Sequence, residues 1–183
     1  MDYREKTVTL KDGRTCLLRR GEEGDAELLL DYLKTTAGET RYLMREPEEI
    51  TLTVEEERDF IRKKREEERG LTLLAFVDGR YAGNCDLRPV SAHGRTRHRC
   101  GVGIALLREF WGMGIGTALL GEILSAAKSA GYEQAELTVV STNAPAIALY
   151  KKFGFETTGT MPRVMKYRDG TYADFLFMVK SLL

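Results

Sequence analysis

The chain has 183 residues, long enough for one domain with a proper core, and its 43% apolar and 31% charged residues argue against disorder. Lysine plus arginine equals aspartate plus glutamate at 28 each, so no global positive field draws the protein to nucleic acid or to an anionic membrane. Cys16, Cys85 and Cys100 are odd in number, widely spaced and without a CxxC pair, which reads as reduced thiols in a cytoplasmic protein. The first residues show no export or organelle signal, and no apolar run approaches the roughly 20 residues of a membrane span.

Taken in order, Thr7–Leu10 and Thr15–Arg19 flank Asp12-Gly13 as a first hairpin. Asp25 to about Thr35 carries Leu28, Leu29, Leu30, Tyr32 and Leu33 and predicts a helix with a broad apolar face. The stretch from Thr35 to Thr53 has no clean period and reads as a long loop, with room for one helical turn. Thr53 opens a capping box with Glu56, and the helix it starts is expected to reach about Arg69 and stop at Gly70. Its charge run reads as a solvated face held by i,i+4 pairs Asp59/Lys63, Arg62/Glu66 and Lys63/Glu67. Two strands follow around Asp78-Gly79, then a strand from Arg99 to about Leu107. Beyond a glycine-rich loop come a helix from about Ile115 to Ala130, a strand over Gln134–Val140 and a short helix from Ala144 to about Phe153. Two strands around Asp169-Gly170 close a mixed α/β order with a single β-α-β crossover, read as one domain over residues 1–183.

The loop FWGMGIGTALL sets Gly112, Gly114 and Gly116 at alternate positions between a strand and a helix. Such a backbone can turn several N–H groups toward one anion, and a helix N-terminus adds a positive dipole, so phosphate or pyrophosphate is the implied ligand. No lysine follows as a P-loop needs, and the GxGxxG register puts Thr117 or Leu119 where a small residue belongs. Glu136 does stand about where a ribose-binding acid would in a dinucleotide fold. A tight strand-to-helix turn without a ligand is the alternative.

WGMGIGTALL resembles the acyl-CoA pyrophosphate loop of the GNAT superfamily of N-acyltransferases, with Trp111 in the place usually held by glutamine or arginine. VVSTNAPAIALYKKFGF is similar to the family's N-x-x-A-x-x-x-Y-x-x-x-G-F segment through Asn143, Ala146, Tyr150, Gly154 and Phe155, and DGTYADFLFMV resembles its closing hairpin. The resemblance covers about Leu71 to Val179. It implies a mostly antiparallel sheet with one central parallel strand pair that splays apart. It also implies acetyl-CoA as cosubstrate, direct acetyl transfer to a primary amine of a small molecule or protein, and a homodimer. A non-catalytic acyl-CoA-binding module on the same fold is the alternative. The pantetheine arm would pair with backbone groups at about Leu106 and Leu107, and the pyrophosphate would rest on amides from Met113, Gly114, Ile115, Gly116, Thr117 and Ala118. Asn143 would meet the cofactor, cap the short helix, or both.

By the same resemblance Tyr150 would protonate the departing thiolate; a packed helix tyrosine is the alternative. The base is left open. Many relatives carry a glutamate on the strand before the loop, where this chain has Cys100-Gly101-Val102-Gly103-Ile104. His98, ordered water and, as an acylated nucleophile, Cys100 are the candidates. The acceptor's walls are expected from Gly38–Ile50, the region after Pro89 and the terminal hairpin, with Glu39, Glu46, Glu48 and Glu49 as attractors of a cationic amine or as a plain solvated loop. No cluster has metal-ligand spacing.

Overall fold

A computed structural model describes all 183 residues. Eight strands form one sheet in the order β1-β2-β3-β4-β5-β6-β8-β7. They are β1 (Lys6–Thr9), β2 (Thr15–Arg20), β3 (Leu71–Val77), β4 (Arg80–Pro89), β5 (Arg99–Leu106), β6 (Gln134–Val140), β7 (Glu156–Lys166) and β8 (Tyr172–Ser181). Every pairing is antiparallel except β5 with β6. The mixed, mostly antiparallel sheet with one central parallel pair is therefore as expected.

Alternation along β3 divides two packed layers. Leu71, Leu73 and Val77 enter the main core with α3 (Ile115–Ser129), whose Ile115, Leu119, Ile123 and Ala127 are fully buried. Leu74 points the other way, into a smaller cluster with Leu29 and Tyr32 of α1 (Ala26–Glu39) and Ile61 of α2 (Val54–Glu66). Tyr150 of α4 (Ala144–Lys152) joins the main core. The helices thus cover opposite faces: α1 and α2 one, α3 and α4 the other.

Two helix ends depart from expectation. α1 runs four residues past Thr35, because the hydroxyls of Thr35 and Thr36 donate to the carbonyls of Asp31 and Tyr32 and so stay satisfied inside the helix. α2 stops at Glu66 rather than Arg69. Gly70 has no left-handed backbone and cannot form the expected cap; Arg20 instead donates to the Arg65 carbonyl at 2.6 Å and the N-terminal amine to that of Glu67 at 3.1 Å. The three i,i+4 pairs expected on α2 are absent too. Arg62 pairs with Asp59 and, at 3.5 Å, with Glu23, while Lys64 crosses to Asp86 on β4 at 3.0 Å.

Candidate functional site

The parallel pair is short. Arg99, Cys100 and Gly101 face Gln134, Ala135 and Glu136, and the pairing ends there. β5 continues to Leu106 along β4, and β6 continues to Val140 along β8. Each strand keeps its outer partner, so beyond Gly101 their inner edges part and open a cleft. Glu136 is not free to hold a ribose: Arg99 grips its carboxylate at 2.7 and 2.9 Å across the last paired rungs. This removes the dinucleotide reading.

β5 backbone groups alternate between β4 and the cleft. The Leu107 N–H donates to Ala82 at 2.9 Å and its carbonyl accepts from Phe110, so free groups at Leu107 are not found. By the same alternation Ile104 and Leu106 face the cleft. The Leu106 carbonyl accepts the Trp111 indole N–H at 2.9 Å, which leaves its amide. Trp111 thus ties the glycine loop to the end of β5, a role its spacing alone did not reveal.

A β4 bulge shapes this end of β5. Ala82 is the extra residue between the Ala75–Gly83 and Phe76–Tyr81 pairs. Gly83 has φ of 144°, and a Cβ there would sit 2.3 Å from the Ala105 carbonyl oxygen, so only glycine fits.

At the head of α3, Gly114 is left-handed at φ 94° and turns the chain into the helix. The Ala118 N–H donates to Gly114 at 3.1 Å as the first helical bond, which corrects the expectation of a free amide at Ala118. The amides from Gly112 through Thr117, those of Met113, Gly114, Ile115 and Gly116 among them, donate to no carbonyl. This run of unspent donors at a positive helix end suits a pyrophosphate. Gly116 is buried, with Leu149 and Ile104 within 3.2 and 3.6 Å of where a Cβ would lie. Sequence reasoning missed two neighbours from the β1–β2 turn. The Lys11 side chain passes 3.6 Å from the Cβ position of Gly114, and Arg14 Nη2 lies 3.0 Å from Met113 Sδ. No local signal links residues a hundred positions apart.

Asn143 caps α4, its Oδ1 accepting the Ala146 N–H at 3.3 Å, and its amide nitrogen is unspent. Tyr150 is 5% exposed, with its ring edge-on to Phe155 at 5.9 Å. Burial, and then the nearby Cys85 thiol, push its phenol above the ordinary value. Cys85 pairs with Ile104, which places Tyr150 behind the cleft-facing stretch of β5, and its hydroxyl has no hydrogen-bond partner in the protein.

His98 and Cys100 are poorly placed for the chemistry, and the loop acids have partners of their own. His98 precedes β5 at the end away from the opening, roughly 26 Å along the strand from Leu106 at about 3.3 Å per residue. Cys100 is fully buried, and burial followed by the Glu136 carboxylate pushes its thiol up to about 12, so it holds no thiolate at neutral pH. Of the loop acids, Glu39 accepts the Arg108 amide, Glu46 and Glu48 pair with Arg168, and Glu49 caps the Glu46 amide.

On the α1/α2 face lies a cavity of about 710 Å³. Its walls include Leu43, Arg45 and Ile50 from the expected loop and Glu57 and Phe60 from α2; Asn84 belongs to its floor. The region after Pro89 does not reach it. The terminal hairpin meets the loop from outside, through Arg168 and through Arg41, which stacks on Tyr167 at 3.7 Å and bonds Thr171. Floor and cleft adjoin at Ala105. Asn84 pairs with Ala105, and Tyr32 of α1 donates to the Ala105 carbonyl at 2.8 Å.

Comparison with known proteins agrees with this geometry. A model of the acetyltransferase (GNAT) family matches residues 32–155. The chain is 33% identical over 109 residues to an L-amino acid N-acetyltransferase of Escherichia coli K12, a match covering 59% of this chain and 66% of that one. It is 43% identical over 70 residues to an N-alpha-acetyltransferase of Sulfolobus acidocaldarius, 38% of this chain and 40% of that one. It therefore spans less than two thirds of the length of either curated relative. A solved GNAT-family acetyltransferase from Streptococcus pneumoniae superposes with a TM-score of 0.84 at 31% identity, over 91% of this chain and 98% of that one. Splayed strands, glycine loop and family model all point the same way, and the chain belongs to the GNAT acetyltransferase family.

Proposed function

We propose that the chain, acting as one domain over residues 1–183, transfers an acetyl group from acetyl-CoA directly to a primary amine. The observation that carries this is the parting of β5 and β6 beside a helix head whose amides from Gly112 to Thr117 are unspent. The pyrophosphate rests on the amides of Met113 through Thr117, with Lys11 adding positive charge above Gly114. The pantetheine arm pairs with Ile104 and the Leu106 amide as an added strand, and the Asn143 amide nitrogen borders its path. The amine comes from the opposite face, through the cavity between α1 and α2. Its lone pair attacks the thioester carbon, the C–N bond forms, the C–S bond breaks, and Tyr150 gives its proton to the departing thiolate. The names of the two curated relatives support an α-amino group as acceptor.

The three free buried cysteines support a reducing compartment, the cytoplasm. No helix is long and apolar enough to cross a membrane. The family resemblance and the exposed Met161, Val164 and Tyr172 of β7 and β8 support a homodimer, read in light scattering as twice the 20.7 kDa chain mass.

Thermal unfolding with acetyl-CoA, with NADH as control, tests the cofactor. At about 100 times Kd a native-state ligand adds about 2.7 kcal/mol, which for a chain of this size raises the midpoint by roughly 5–10 °C. Thiol release on adding L-amino acids or peptide N-termini then tests the acceptor. No shift at saturating acetyl-CoA would remove the proposal; a shift without amine-dependent release would leave an acyl-CoA-binding module.

A further inference from the structure

Three polar or charged side chains are buried in the protein: Asp25, Thr36 and Glu57. Asp25 is held by Arg19 at 2.6 and 2.8 Å, and Thr36 donates to the Tyr32 carbonyl at 2.8 Å. The Glu57 side chain is in a residue only 4% exposed and makes neither a hydrogen bond nor an ion pair, while its carboxylate oxygens keep access to the cavity. It shares the buried stripe of α2 with Ile61, one turn on, where an apolar side chain would pack without electrostatic cost. A carboxylate held mostly out of bulk water without a partner costs stability.

What Glu57 faces is the cavity. The charged and titratable groups around it are Arg45 from the loop, Arg20 from β2, Tyr32 from α1, Tyr81 and Asp86 from β4, and Glu56, Asp59, Lys63, Lys64 and Arg65 on α2 itself. Lys64 is taken by Asp86, Arg20 donates to the Arg65 carbonyl, and Arg65 to that of Gly21. Burial pushes the Glu57 carboxyl up, against a smaller pull from Arg45. A carboxylate so placed gains from any cation that enters, and it is a better proton acceptor than one in water. The cavity floor adjoins the cleft at Ala105, so a cation held there lies on the acceptor's side of the thioester.

We infer that Glu57 is the missing base: its carboxylate receives the acceptor's ammonium group in the α1/α2 cavity and takes its proton. This rests on the acetyltransferase reading above. An N–H bond of the ammonium breaks, an O–H bond forms on Glu57, and the freed lone pair attacks the thioester carbon. As the C–S bond breaks, the thiolate takes the Tyr150 proton, the second N–H proton restores the phenol, and Glu57 returns its own to solvent. One proton is released per turnover, as the conversion of an ammonium to an amide requires.

The test is Glu57→Gln, which keeps the shape and removes the base. With L-amino acid acceptors, kcat/KM at pH 7 should fall at least 100-fold while the acetyl-CoA thermal shift is kept. The deficit should shrink above pH 9, where the free amine forms unaided. Without any ligand the variant should melt higher than the parent, because an unpaired buried charge has gone. A variant with parental kcat/KM, or one that melts several degrees lower, overturns the assignment. A parent chain that releases no thiol with any amine would instead sink the acetyltransferase reading, and the ligand-free melt would still decide whether Glu57 is structural.

Discussion

In the proposed reaction Tyr150 is the proton donor: it is buried, its phenol is raised by burial and so stays protonated well past neutral pH, and it is bonded to nothing in the protein. A hydroxyl in that state is in the right form to give a proton, and desolvation raises the proton affinity of the leaving thiolate as well. Tyr150→Phe should cut kcat at least tenfold and leave acetyl-CoA affinity nearly unchanged, since the ring packing against Phe155 needs no hydroxyl. Stopped turnover with intact cofactor binding is the signature; normal turnover would reduce Tyr150 to a core residue. This position was readable from its spacing to Asn143 and to Gly154-Phe155. Glu57 was not. It directly precedes the charge run that reads as a solvated face, with nothing in its own spacing to mark it, and only the packing of α2 shows that this acid is turned inward. The backbone groups of Leu107 and the Ala118 amide have partners within the protein, which a motif carried over from resemblance does not reveal.

Local chemistry made some elements plain. The Thr53–Glu56 capping box forms as read, with both reciprocal bonds, and Asp78-Gly79 turns β3 into β4 with both residues at positive φ. Tertiary context moved others. Thr36 and Gly38 look like a helix end, yet Thr36 is buried and its hydroxyl bonds back into α1. The segment after α1 was legible as a loop but not as a bracket. Arg41 and Arg168 fasten it to the β7–β8 turn, and Tyr42 leans to the Thr142 carbonyl at 3.4 Å beside α4. The acids that resembled amine attractors all have partners within the protein, and the carboxylate inferred to act as base belongs to the helix behind them.

Strand order and the length of the parallel pair depend on contacts far apart in sequence, so the splay was accessible only through family resemblance, whereas the alternating apolar strands were visible directly. At the scale of the whole fold, burial also sets a pH limit. The thiols of Cys85 and Cys100 and the phenols of Tyr32, Tyr81 and Tyr150 are all raised by burial. In the unfolded chain the thiols ionise near pH 8.5 and the phenols near 10. Above those values the unfolded state holds fewer protons than the native one, so stability is complete below about pH 8 and falls as pH climbs toward the native values. Each thiol alone contributes about 1.4 kcal/mol per pH unit in that range. The guanidinium midpoint should be clearly lower at pH 10.5 than at pH 7.5; equal midpoints would contradict the burial of these groups as ionisable sites. The seam between β5 and β6 carries one more consequence. Five strands on one side and three on the other are joined by three residue pairs, with Arg99 and Glu136 clasped across them. Within the sheet itself the two plates meet at a narrow seam, backed by the common core on α3. A ligand strand laid along both free edges would then brace the sheet as well as fill the cleft, so occupancy of the cleft should register as resistance to unfolding.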